Sequence, residues 1–559
     1  MLIKTKLLIV TLFSLLSLAA IITTVSVIDA TSALKQAQLE KLSTLKTAKH
    51  GEINKYFESL KGLLISLANH KGTKEAFIAL EDGFYKLNDE LKLDIPSIKN
   101  KLTADFEKNY LSDVNYKVPN SEQKKSTNKY LPTNNNGLTA QYVFIVDNPS
   151  KLGEKNSMAD NKKYNSTYMK AHKKYHKTFD RFLNSFELYD IFMVDLKGNL
   201  IYTDFKEKDY ATNLKSGVYS NTGIAKVFTK ALTLNEDQLA FDDFAPYEPS
   251  YNSAASFIAT PIFIDGIKKG VLIFQMPVDR INNMMSFGGK YKEAGLGDSG
   301  EIYLIGMDYK MRNNSRFVKD IKDNVVQELG STIGVWEVKT VSTKSVVEGT
   351  NKKGKDVILD YRGISVLSVF DTIDLYGQTK WAIISEIDEQ EALNAAIVLR
   401  NDNILYSTII LIIILVIFIF FINSAIVKPL NTFQEGLMGF FKYLNKESTD
   451  VPRLDDAANH EIGRMAKIIN ENIINTKKSI EEDRKLIDET ISISDKINHG
   501  YLDGEITATS SYPALNELKD ILNSTIATLN KNLENIKKVL VSYTDSNLFN
   551  SSFEKFDKT

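Results

Sequence analysis

The chain has 559 residues, 43% of them hydrophobic and 25% charged, with a formal net charge of −1. This near-neutral balance gives no indication of a nucleic-acid partner, and the length suits three or four domains. The lack of cysteine excludes disulfides, thiolate catalysis and cysteine-based zinc or iron–sulfur sites.

The first apolar run, Leu7 to Ile28, contains no charged residue and follows Lys4 and Lys6. It is longer than the apolar centre of a cleaved signal peptide, and no glycine or proline separates it from the helical pattern that follows. We therefore predict an uncleaved signal-anchor transmembrane helix at residues 1–28.

After this anchor, apolar residues recur at the spacing of a helix. They are Ile53, Phe57, Leu60, Leu64 and Leu67. We predict a long helix at residues 29–89 that fades near Gly83 and packs its apolar stripe against its own domain or a second subunit. The polar stretch from Leu102 to Asn136, which contains two prolines, indicates a loop. The short apolar run Tyr142–Val146 predicts a strand.

A helix is predicted from Tyr164 to Phe186, with His172 and His176 on one of its faces. Two histidines at this spacing can bind zinc, but no third ligand is evident, and Lys173 and Lys174 stand where a metalloprotease helix carries its glutamate. We therefore predict a half-buried packing face here, with no metal and no cofactor.

Alternating apolar residues then predict an antiparallel sheet. Ile191–Val194, a tight turn at 195–199 and Leu200–Thr203 form strand, turn and strand, and further strands are expected at 256–260 and 270–275.

Asp243 to Phe257 is rich in aromatic residues, prolines and small residues, and is predicted to be a loop between two strands. Loops on a rigid sheet commonly carry ligand contacts. An aspartate there could hold an amine, and aromatic rings could supply stacking or cation–π contacts. The predicted ligand-binding residues are Tyr202, Asp243, Tyr247 and Phe257, with the alternative that they are core and turn residues.

A second module begins near Gly295, where a glycine-rich lead-in precedes a strand, a turn, Arg312 and Arg316. The two arginines could receive a carboxylate through bidentate hydrogen bonds. The alternative, which we favour, is that they brace the loop or pair with Asp308 and Asp320.

Three more strands are expected in this module, around 357–361, 366–370 and 381–386, followed by a helix at 389–399. This helix leads into Ile404–Val427, an uncharged run of about 24 residues and hence about 36 Å, which exceeds a hydrocarbon core of about 30 Å. We predict a second transmembrane helix at 404–427, with a core helix of a soluble protein as the alternative.

Lys428 follows this second crossing, as Lys4 and Lys6 precede the first. By the positive-inside rule both ends of the chain lie in the cytoplasm, and residues 29–403 lie outside the membrane. We therefore expect a two-pass protein of the bacterial inner membrane, in contact with lipid.

After the second predicted transmembrane helix, apolar residues recur at spacings of alternately three and four residues, which predicts a coiled-coil seam. They are Leu430, Phe433, Leu437, Phe440 and Leu444. A polar connector and a second helix with Ile462, Met465, Ile469 and Ile473 follow. The pattern repeats at 482–534, where the connector is Gly500–Pro513, and a third helix is expected near Ile536.

Four stretches of the outer region resemble the double Cache sensor domains of bacterial chemoreceptors. They are YDIFMVDLKGNLIYT, DFAPYEPSYNSAASFIATPIF, GVLIFQMPVDRIN and GLGDSGEIYLIGMDYKMRNNSRF. The resemblance implies a membrane-distal module at 90–285, a membrane-proximal module at 286–398, and ligand binding mainly in the distal one.

The inner region resembles HAMP domains, with Pro429 and Glu461-Ile462-Gly463 at the signature positions. Units are expected at 428–481 and 482–534, with a third beginning at 535–559. The glycine that usually opens the connector is missing. His460-Glu461-Ile462 superficially resembles the phosphoacceptor box of histidine kinases, but no ATP-binding motifs accompany it, so His460 is expected to cap or flank a helix.

Together these features resemble methyl-accepting chemotaxis proteins. The resemblance implies an α+β outer region with two PAS-like antiparallel sheets, and a homodimeric receptor, not an enzyme, with no catalytic residues. It would sense a periplasmic small molecule for chemotaxis, within arrays that hold a histidine kinase and a coupling protein. The alternative is the sensor part of a histidine kinase or nucleotide cyclase whose catalytic domain lies beyond residue 559. We expect the chain to be the N-terminal part of a longer receptor; a naturally short one is the alternative.

Overall fold

A 67-residue helix, α1 (Ile3–Asn69), opens the computed structural model, which describes residues 3–544. The described chain divides into two compact units. Ile22–Asn403 form one unit, and the described residues before Ile22 and after Asn403 form the other.

Besides part of α1, the first unit contains nine shorter helices. They are α2 (Lys71–Leu91), α3 (Ile95–Asn109), α4 (Asn135–Gln141), α5 (Thr167–Ser185), α6 (Gly223–Ala231), α7 (Val278–Ser286), α8 (Asn324–Leu329), α9 (Val341–Val347) and α10 (Glu389–Ala392). The predicted helix at 164–186 is thus confirmed as α5.

The predicted long helix does not fade at Gly83. It breaks at His70, whose backbone is extended and whose Nδ1 accepts a hydrogen bond from the Gly72 amide at 3.1 Å, so that α2 starts afresh. Gly83 lies inside α2, and a Cβ there would stand 2.5 Å from the Tyr168 backbone of α5. The glycine therefore marks a close helix–helix approach instead of a helix end.

Two other predictions in this region are wrong. The predicted loop from Leu102 begins only after Asn109, because α3 buries Leu102 and Phe106 one helical turn apart. The predicted strand Tyr142–Val146 is a wide helical turn that continues α4, with the Asp147 amide bonded to the Tyr142 carbonyl at 2.8 Å. Its apolar run reflects burial, which a short helix and a strand share.

Two antiparallel sheets form the body of this unit. The larger has the order β2-β1-β5-β4-β3 and the smaller β6-β9-β8-β7. Their strands are β1 (Asp190–Asp195), β2 (Leu200–Thr203), β3 (Ala240–Tyr247), β4 (Ser253–Ile264), β5 (Ile267–Met276), β6 (Glu301–Gly306), β7 (Lys353–Leu359), β8 (Ser365–Leu375) and β9 (Thr379–Asp388). We call the two parts of the unit the five-stranded module and the four-stranded module. Apart from Tyr142–Val146, the predicted strands are confirmed, and so is the expected mixture of helices with two antiparallel sheets.

The predicted loop Asp243–Phe257 is mostly strand. Asp243–Tyr247 belongs to β3 and Ser253–Phe257 to β4, with the turn confined to 248–252. Pro246 is tolerated because β3 is the edge of its sheet, where one side of the backbone needs no partner.

Helix α1 packs against both modules through Phe57. Its ring contacts Phe241 of β3, Tyr376 beside β8, and Trp381 of β9, with centroids 5.9, 5.8 and 5.3 Å away. Tyr376 also donates a hydrogen bond to the Phe57 carbonyl at 2.5 Å. This aromatic cluster fixes the two sheets to one helix.

The second unit contains the other helices of the described chain. They are α11 (Asn394–Ile422, which begins in the first unit), α12 (Lys428–Leu444), α13 (Glu461–Asn498) and α14 (Pro513–Thr544). Helices α1 and α11 each contain a segment long and apolar enough to cross a membrane, and its side chains are largely exposed.

Between α11 and α12 the helix widens over Asn423–Val427, where the Lys428 amide bonds to the Asn423 carbonyl five residues earlier. Pro429 follows at once. A proline has no N–H to donate to the carbonyl four residues before it, and its ring clashes with that carbonyl. The wide turn accommodates both effects without breaking the helix.

The predicted repeat of helix, connector and helix is visible in two matching contacts. Asn470 of α13 bonds to the amide and carbonyl of Leu454 at 3.0 and 2.8 Å. Asn523 of α14 bonds to the amide and carbonyl of Ile506, both at 2.8 Å. In each case an asparagine holds an apolar connector residue against the helices.

His460 caps α13, as predicted, through a hydrogen bond from the Gly463 amide to its Nδ1 at 3.1 Å. The third helix expected near Ile536 is not separate, because α14 runs unbroken through that residue. The remainder of the third predicted unit, from 545, lies outside the described residues.

One buried carboxyl in the four-stranded module contributes to the pH dependence of folding. Glu386 accepts hydrogen bonds from Ser368 at 2.7 Å and from Tyr303 at 2.9 Å, and burial raises its pKa to about 8. An acid whose pKa is raised by folding makes the protein less stable as pH rises from the unfolded pKa to the folded one. We expect the urea midpoint of the full chain in detergent to fall between pH 5 and pH 8, with a slope of at most about 1.4 kcal/mol per pH unit from this proton. Glu386→Gln should flatten that slope; an unchanged slope would contradict the assignment.

Candidate ligand-binding site

A cavity of about 340 Å³ lies in the five-stranded module. Tyr189 and residues from three chain segments, 145–155, 205–208 and 249–251, form its wall. This volume lies near the lower end of the range for small-molecule sites, which is roughly 300–1,000 Å³.

Asp190, at the start of β1, positions the segment that leaves β2. One oxygen of this buried carboxyl accepts hydrogen bonds from the amides of Asp204 and Phe205, at 2.8 and 3.0 Å, and the other accepts one from Thr203 at 2.6 Å. The next residue, Lys206, has a backbone φ of +61°, a conformation that residues other than glycine seldom adopt. The chain is therefore held here in a fixed and strained turn that brings 205–208 to the cavity.

Three lysines belong to the cavity wall. Lys206 is 3% exposed, and its ammonium donates to the carbonyls of Thr203 and Asp204. Burial lowers its pKa to about 8. Lys155 donates to the Asn148 carbonyl at 2.8 Å, and burial also lowers its pKa. Both ammoniums thus donate to backbone carbonyls, while the charges of Asp204 and Asp190 act on Lys206 and that of Asp105 acts on Lys155.

The third lysine, Lys208, is paired. It is 3% exposed and bonded to the carboxylate of Asp105 in α3. Burial lowers its pKa, the Asp105 charge opposes that shift, and the nearby Lys155 charge adds to it. Lys155 and Lys208 are therefore close enough for their positive charges to oppose each other.

The acidic member of the wall is Glu207, and both its oxygens are engaged. Tyr189 donates to one and Ser250 to the other, each at 2.8 Å. Burial raises the pKa of Glu207 well above its ordinary value, and Asp209 adds to the shift. The carboxyl therefore keeps its proton at pH values where an exposed glutamate is ionised, and it contributes little negative charge to the cavity.

The predicted histidine face lies beside the cavity and is buried completely, not half-buried. His172 and His176 stack with their ring centres 4.3 Å apart. His176 donates from Nε2 to the Asn156 carbonyl at 2.5 Å, while His172 Nδ1 lies 3.0 Å from the Ala159 carbonyl. Among residues 3–544 no group of three His, Cys, Asp or Glu side chains could hold a metal ion. The pair instead ties α5 to the loop that carries Lys155.

The structure brings together only two of the four predicted ligand-binding residues. Tyr247 and Phe257 are buried with their rings 5.0 Å apart, and the Tyr247 hydroxyl donates to Asp209. Tyr202 is buried near the histidines, and Asp243 lies at the junction of the two modules. None of the four lines the cavity. Their contact with a ligand stays a prediction.

That junction is a buried ion pair. Arg312, 2% exposed, donates from Nε and Nη2 to the two oxygens of Asp243 at 3.1 and 2.9 Å. Trp381 donates its indole N–H to Asp243 at 2.9 Å. Asp243 belongs to β3, whereas Arg312 and Trp381 belong to the four-stranded module, so the pair joins the two sheets.

The contacts of Arg312 and Arg316 agree with the interpretation that we favoured, in which they brace the loop or pair with nearby aspartates. Arg312 also pairs with Asp308 at 2.9 Å, as predicted, although its partner Asp243 was not foreseen. Arg316 braces the loop by donating to the carbonyls of Gly300 and Gly297 at 2.6 and 2.9 Å. Its expected alternative partner, Asp320, takes no part in these contacts.

Sequence reasoning missed the cavity lysines. The stretch FKEKD at 205–209 follows an apolar strand and has the composition of an exposed turn. A hint was available in Asp190, because a charged residue at the head of an apolar strand must find hydrogen-bond donors when it is buried. Its donors are Thr203, Asp204 and Phe205, which lead into the missed segment.

No protein-family model matches this sequence, and no curated protein matches it. Solved structures that resemble it include the extracellular domain of vpHK1S-Z8, described as a histidine kinase, at 11% identity and a TM-score of 0.34, over 66% of this chain and 96% of that one. They also include ligand-binding domains of two chemoreceptors.

One is that of CtaA from Pseudomonas fluorescens with L-serine, at 13% identity and a TM-score of 0.25, over 38% of this chain and 76% of that one. The other is that of PctB from Pseudomonas aeruginosa PAO1 with L-Arg, at 14% identity and a TM-score of 0.25, over 38% and 75%. These solved structures are sensor domains, at a likeness too low to identify a ligand or an output for this chain.

The module junction gives a prediction. Asp243→Asn removes the charge that neutralises buried Arg312, and we expect a loss of about 2 kcal/mol or more in the free energy of unfolding. Asp308→Asn is the matched control, because Asp308 is half exposed and its loss leaves the Asp243 pair intact; its effect should stay below about 1 kcal/mol. Thermal unfolding of the full chain in detergent measures both. Equal losses of stability in the two variants would show that Asp243 contributes no more to the free energy of unfolding than the half-exposed Asp308 does.

Proposed function

We propose that this chain is a transmembrane sensor that binds a small molecule in the cavity of the five-stranded module and passes the signal to its coiled helices. The observation that supports it most is a cavity whose wall combines aromatic, apolar and charged side chains, in a unit whose first and last helices, α1 and α11, continue into spans able to cross a membrane. In this proposal the chain itself is a receptor, with no catalytic role.

A continuous series of contacts leads from the cavity toward the membrane. Pro249 and Tyr251 in the cavity wall follow β3, which carries Asp243. Asp243 binds Arg312 and Trp381, and Trp381 lies in β9, the strand that leads through α10 into α11. A ligand that favours one of two arrangements of the cavity wall would bias this series, and a ligand with equal affinity for both would transmit nothing.

We propose that the helices that receive the signal, α12 and those after it, form a parallel homodimer with a second copy of the chain. Apolar side chains along α12 and α14 are exposed in the single chain, among them Leu430, Leu444, Leu529, Leu533 and Ile536. Such rows suit coiled-coil pairing with a second copy. The repeated asparagine contacts at Leu454 and Ile506 would then hold each connector while the helices shift.

For the output we propose chemotaxis, through arrays that contain a histidine kinase and a coupling protein, with the sensor region periplasmic and both termini cytoplasmic. The repeated helix–connector–helix units support a relay of this kind. A histidine kinase or nucleotide cyclase output uses the same relay, and a defect in swimming behaviour toward a verified ligand in a deletion strain would favour the chemoreceptor.

The cysteine-free chain allows a direct test of topology. Lys71→Cys places a thiol at a 91% exposed side chain of the first unit, and Lys478→Cys at a 75% exposed one of α13. A membrane-impermeant maleimide should label the first variant in intact spheroplasts and the second only after lysis. Labelling of Lys478→Cys in intact spheroplasts, or none of Lys71→Cys, would contradict the proposal.

Signal transfer is tested by disulfide cross-linking in membranes. Cysteines at Leu430 and Phe433 on the predicted seam should cross-link to a second copy, whereas Glu435→Cys, off the seam, should do so much less. A ligand verified by thermal shift should change the ratio of the Leu430 and Phe433 products by about twofold or more, which corresponds to a population shift of roughly 0.4 kcal/mol. An identical ratio with and without that ligand would count against the relay.

A further inference from the structure

Two buried glutamates stand opposite each other in the four-stranded sheet. Glu301 begins β6 and Glu386 lies near the end of β9, and the antiparallel ladder pairs them directly. Residues paired in this way project from the same face of the sheet, with their β-carbons about 5 Å apart. Glu301 is 3% exposed and Glu386 is 2% exposed. Two negative charges in this position would repel each other with little water to screen them.

Glu301 has the hydrogen-bond donors that an ionised carboxylate needs. One of its oxygens accepts a hydrogen bond from the Tyr361 hydroxyl, and the other accepts one from the Arg316 amide at 3.0 Å. Burial raises the pKa of Glu301, these hydrogen bonds and the charge of Arg362 oppose the rise, and the charge of Asp360 adds to it. Glu301 is therefore the member of the pair better prepared to carry a charge.

Glu386 has fewer donors. It accepts hydrogen bonds from Ser368 at 2.7 Å and from Tyr303 at 2.9 Å. Burial raises its pKa to about 8, the two hydrogen bonds oppose the rise, and the charges of Glu301 and Asp360 add to it. Glu386 is therefore the member of the pair that keeps a proton at neutral pH.

The cations near the pair are engaged by other groups. Arg362 donates to Asp360 at 2.6 Å and to Asp388 at 2.5 Å. The guanidinium of Arg316 donates to two backbone carbonyls of its loop and lies over the ring of Tyr291. The charged side chains that α9 and β7 add on this side of the sheet are exposed to solvent, namely Lys344 and Asp356.

A chain of hydroxyl groups accommodates Glu386 in either protonation state. Ser342 of α9 lies 2.8 Å from Ser368 of β8, and either hydroxyl can be the donor. With Glu386 ionised, Ser342 donates to Ser368 and Ser368 donates to Glu386. With Glu386 protonated, both hydrogen bonds can reverse. The hydroxyls therefore leave the protonation state to burial and to the charge of Glu301.

We propose that the four-stranded module is a proton sensor, in which Glu386 binds the proton and Glu301 supplies the facing charge. When the pH rises, the proton leaves to solvent and two buried carboxylates oppose each other. An arrangement in which β9 moves away from β6, or in which water enters between them, then becomes favoured, so the proton has different affinities for the two arrangements.

A displacement of β9 has a direct route out of the module. The strand leads through α10 into α11, the helix that carries the second apolar span. The inference therefore rests on the proposed relay and adds a stimulus to it, the pH around the first unit, which acts without the cavity.

Infrared difference spectra of the full chain in detergent test the proton-binding site. Wild type minus Glu386→Gln should show the C=O band of a neutral carboxylic acid at about pH 6, and the band should disappear with a midpoint near pH 8. Glu348→Gln is the matched control, because an exposed glutamate of the same module is already ionised at about pH 6 and should give no such band. Lack of an acid band from Glu386 at that pH would overturn the inference.

The facing charge is tested by Glu301→Gln. Its removal should lower the pKa of Glu386, so the infrared midpoint, measured against the double variant with Glu386→Gln, should move down by about half a pH unit or more. An unchanged midpoint would contradict the role of Glu301. Glutamine is close in shape to a neutral glutamic acid, and melting temperatures at about pH 6 check that the variants fold.

The signalling step is tested in membranes with Leu430→Cys and Phe433→Cys. A rise from about pH 6 to about pH 9 should change the ratio of the two cross-linked products by about twofold or more. Because thiols react faster at high pH, each ratio is compared with that in Glu386→Gln, which should not respond, and in Glu348→Gln, which should respond like the parent. Glu301→Gln should move the midpoint of the response to lower pH, which tests the inference without Glu386→Gln.

Asp243→Asn distinguishes failure of this inference from failure of the proposed relay. It disrupts the module junction at constant pH, and a working relay should transmit that change to the cross-linking ratio. If Asp243→Asn changes the ratio and pH does not, the relay stands and the proton inference is overturned. If neither changes the ratio, both fail. A pH response that persists in Glu386→Gln would also overturn the assignment of the proton to Glu386.

Discussion

A buried arginine is the constraint on which the arrangement of the two sheets depends. Removing a guanidinium from water is costly unless a carboxylate and further acceptors replace its hydration. Arg312 meets this requirement with Asp243 from the edge of the five-stranded sheet, Asp308 from its own module and the Lys310 carbonyl. Because its principal partner lies in the other module, the two sheets cannot separate without breaking the Asp243–Arg312 ion pair.

The same contact lies between the cavity and the chain that leaves the unit. Phe57 of α1 packs against Trp381, whose indole N–H also reaches Asp243. Helix α1, which enters the unit, is therefore packed against β9, which leads out of it, and this contact adjoins the Asp243–Arg312 ion pair. An element in this position is well placed to carry a mechanical signal between the two modules.

Much of this fold could be predicted from the sequence, and the failures have physical causes. Two signals in the sequence identified β1, β2 and the later strands: alternation of apolar and polar residues, and short apolar runs bounded by turn residues. Tyr142–Val146 was misread because five apolar residues bury equally well in a helix, and Asp243–Phe257 because an edge strand tolerates proline and charge. In both cases tertiary packing, which a local pattern does not contain, decides the conformation.

The candidate site was harder to predict than the fold. The aromatic and acidic residues chosen from the sequence belong to the core and to the module junction, whereas the cavity wall draws on charged residues of a segment that looks like a surface turn. The turn that buries Lys206 is held by hydrogen bonds that Asp190, sixteen positions earlier, accepts from the amides of Asp204 and Phe205, and no spacing rule connects Asp190 with Lys206. Long-range polar contacts of this type become visible only in three dimensions.

The widened turn at Asn423–Val427 has a consequence for how a displacement of α11 reaches α12. One extra residue in a helical turn rotates everything beyond it by about 100° about the axis. The side chains of α12 are therefore offset by that angle from the positions that an uninterrupted α-helix would give them. Tightening that turn to the regular pitch would rotate α12 by roughly a quarter revolution, so this short segment can convert a small axial stroke into twist.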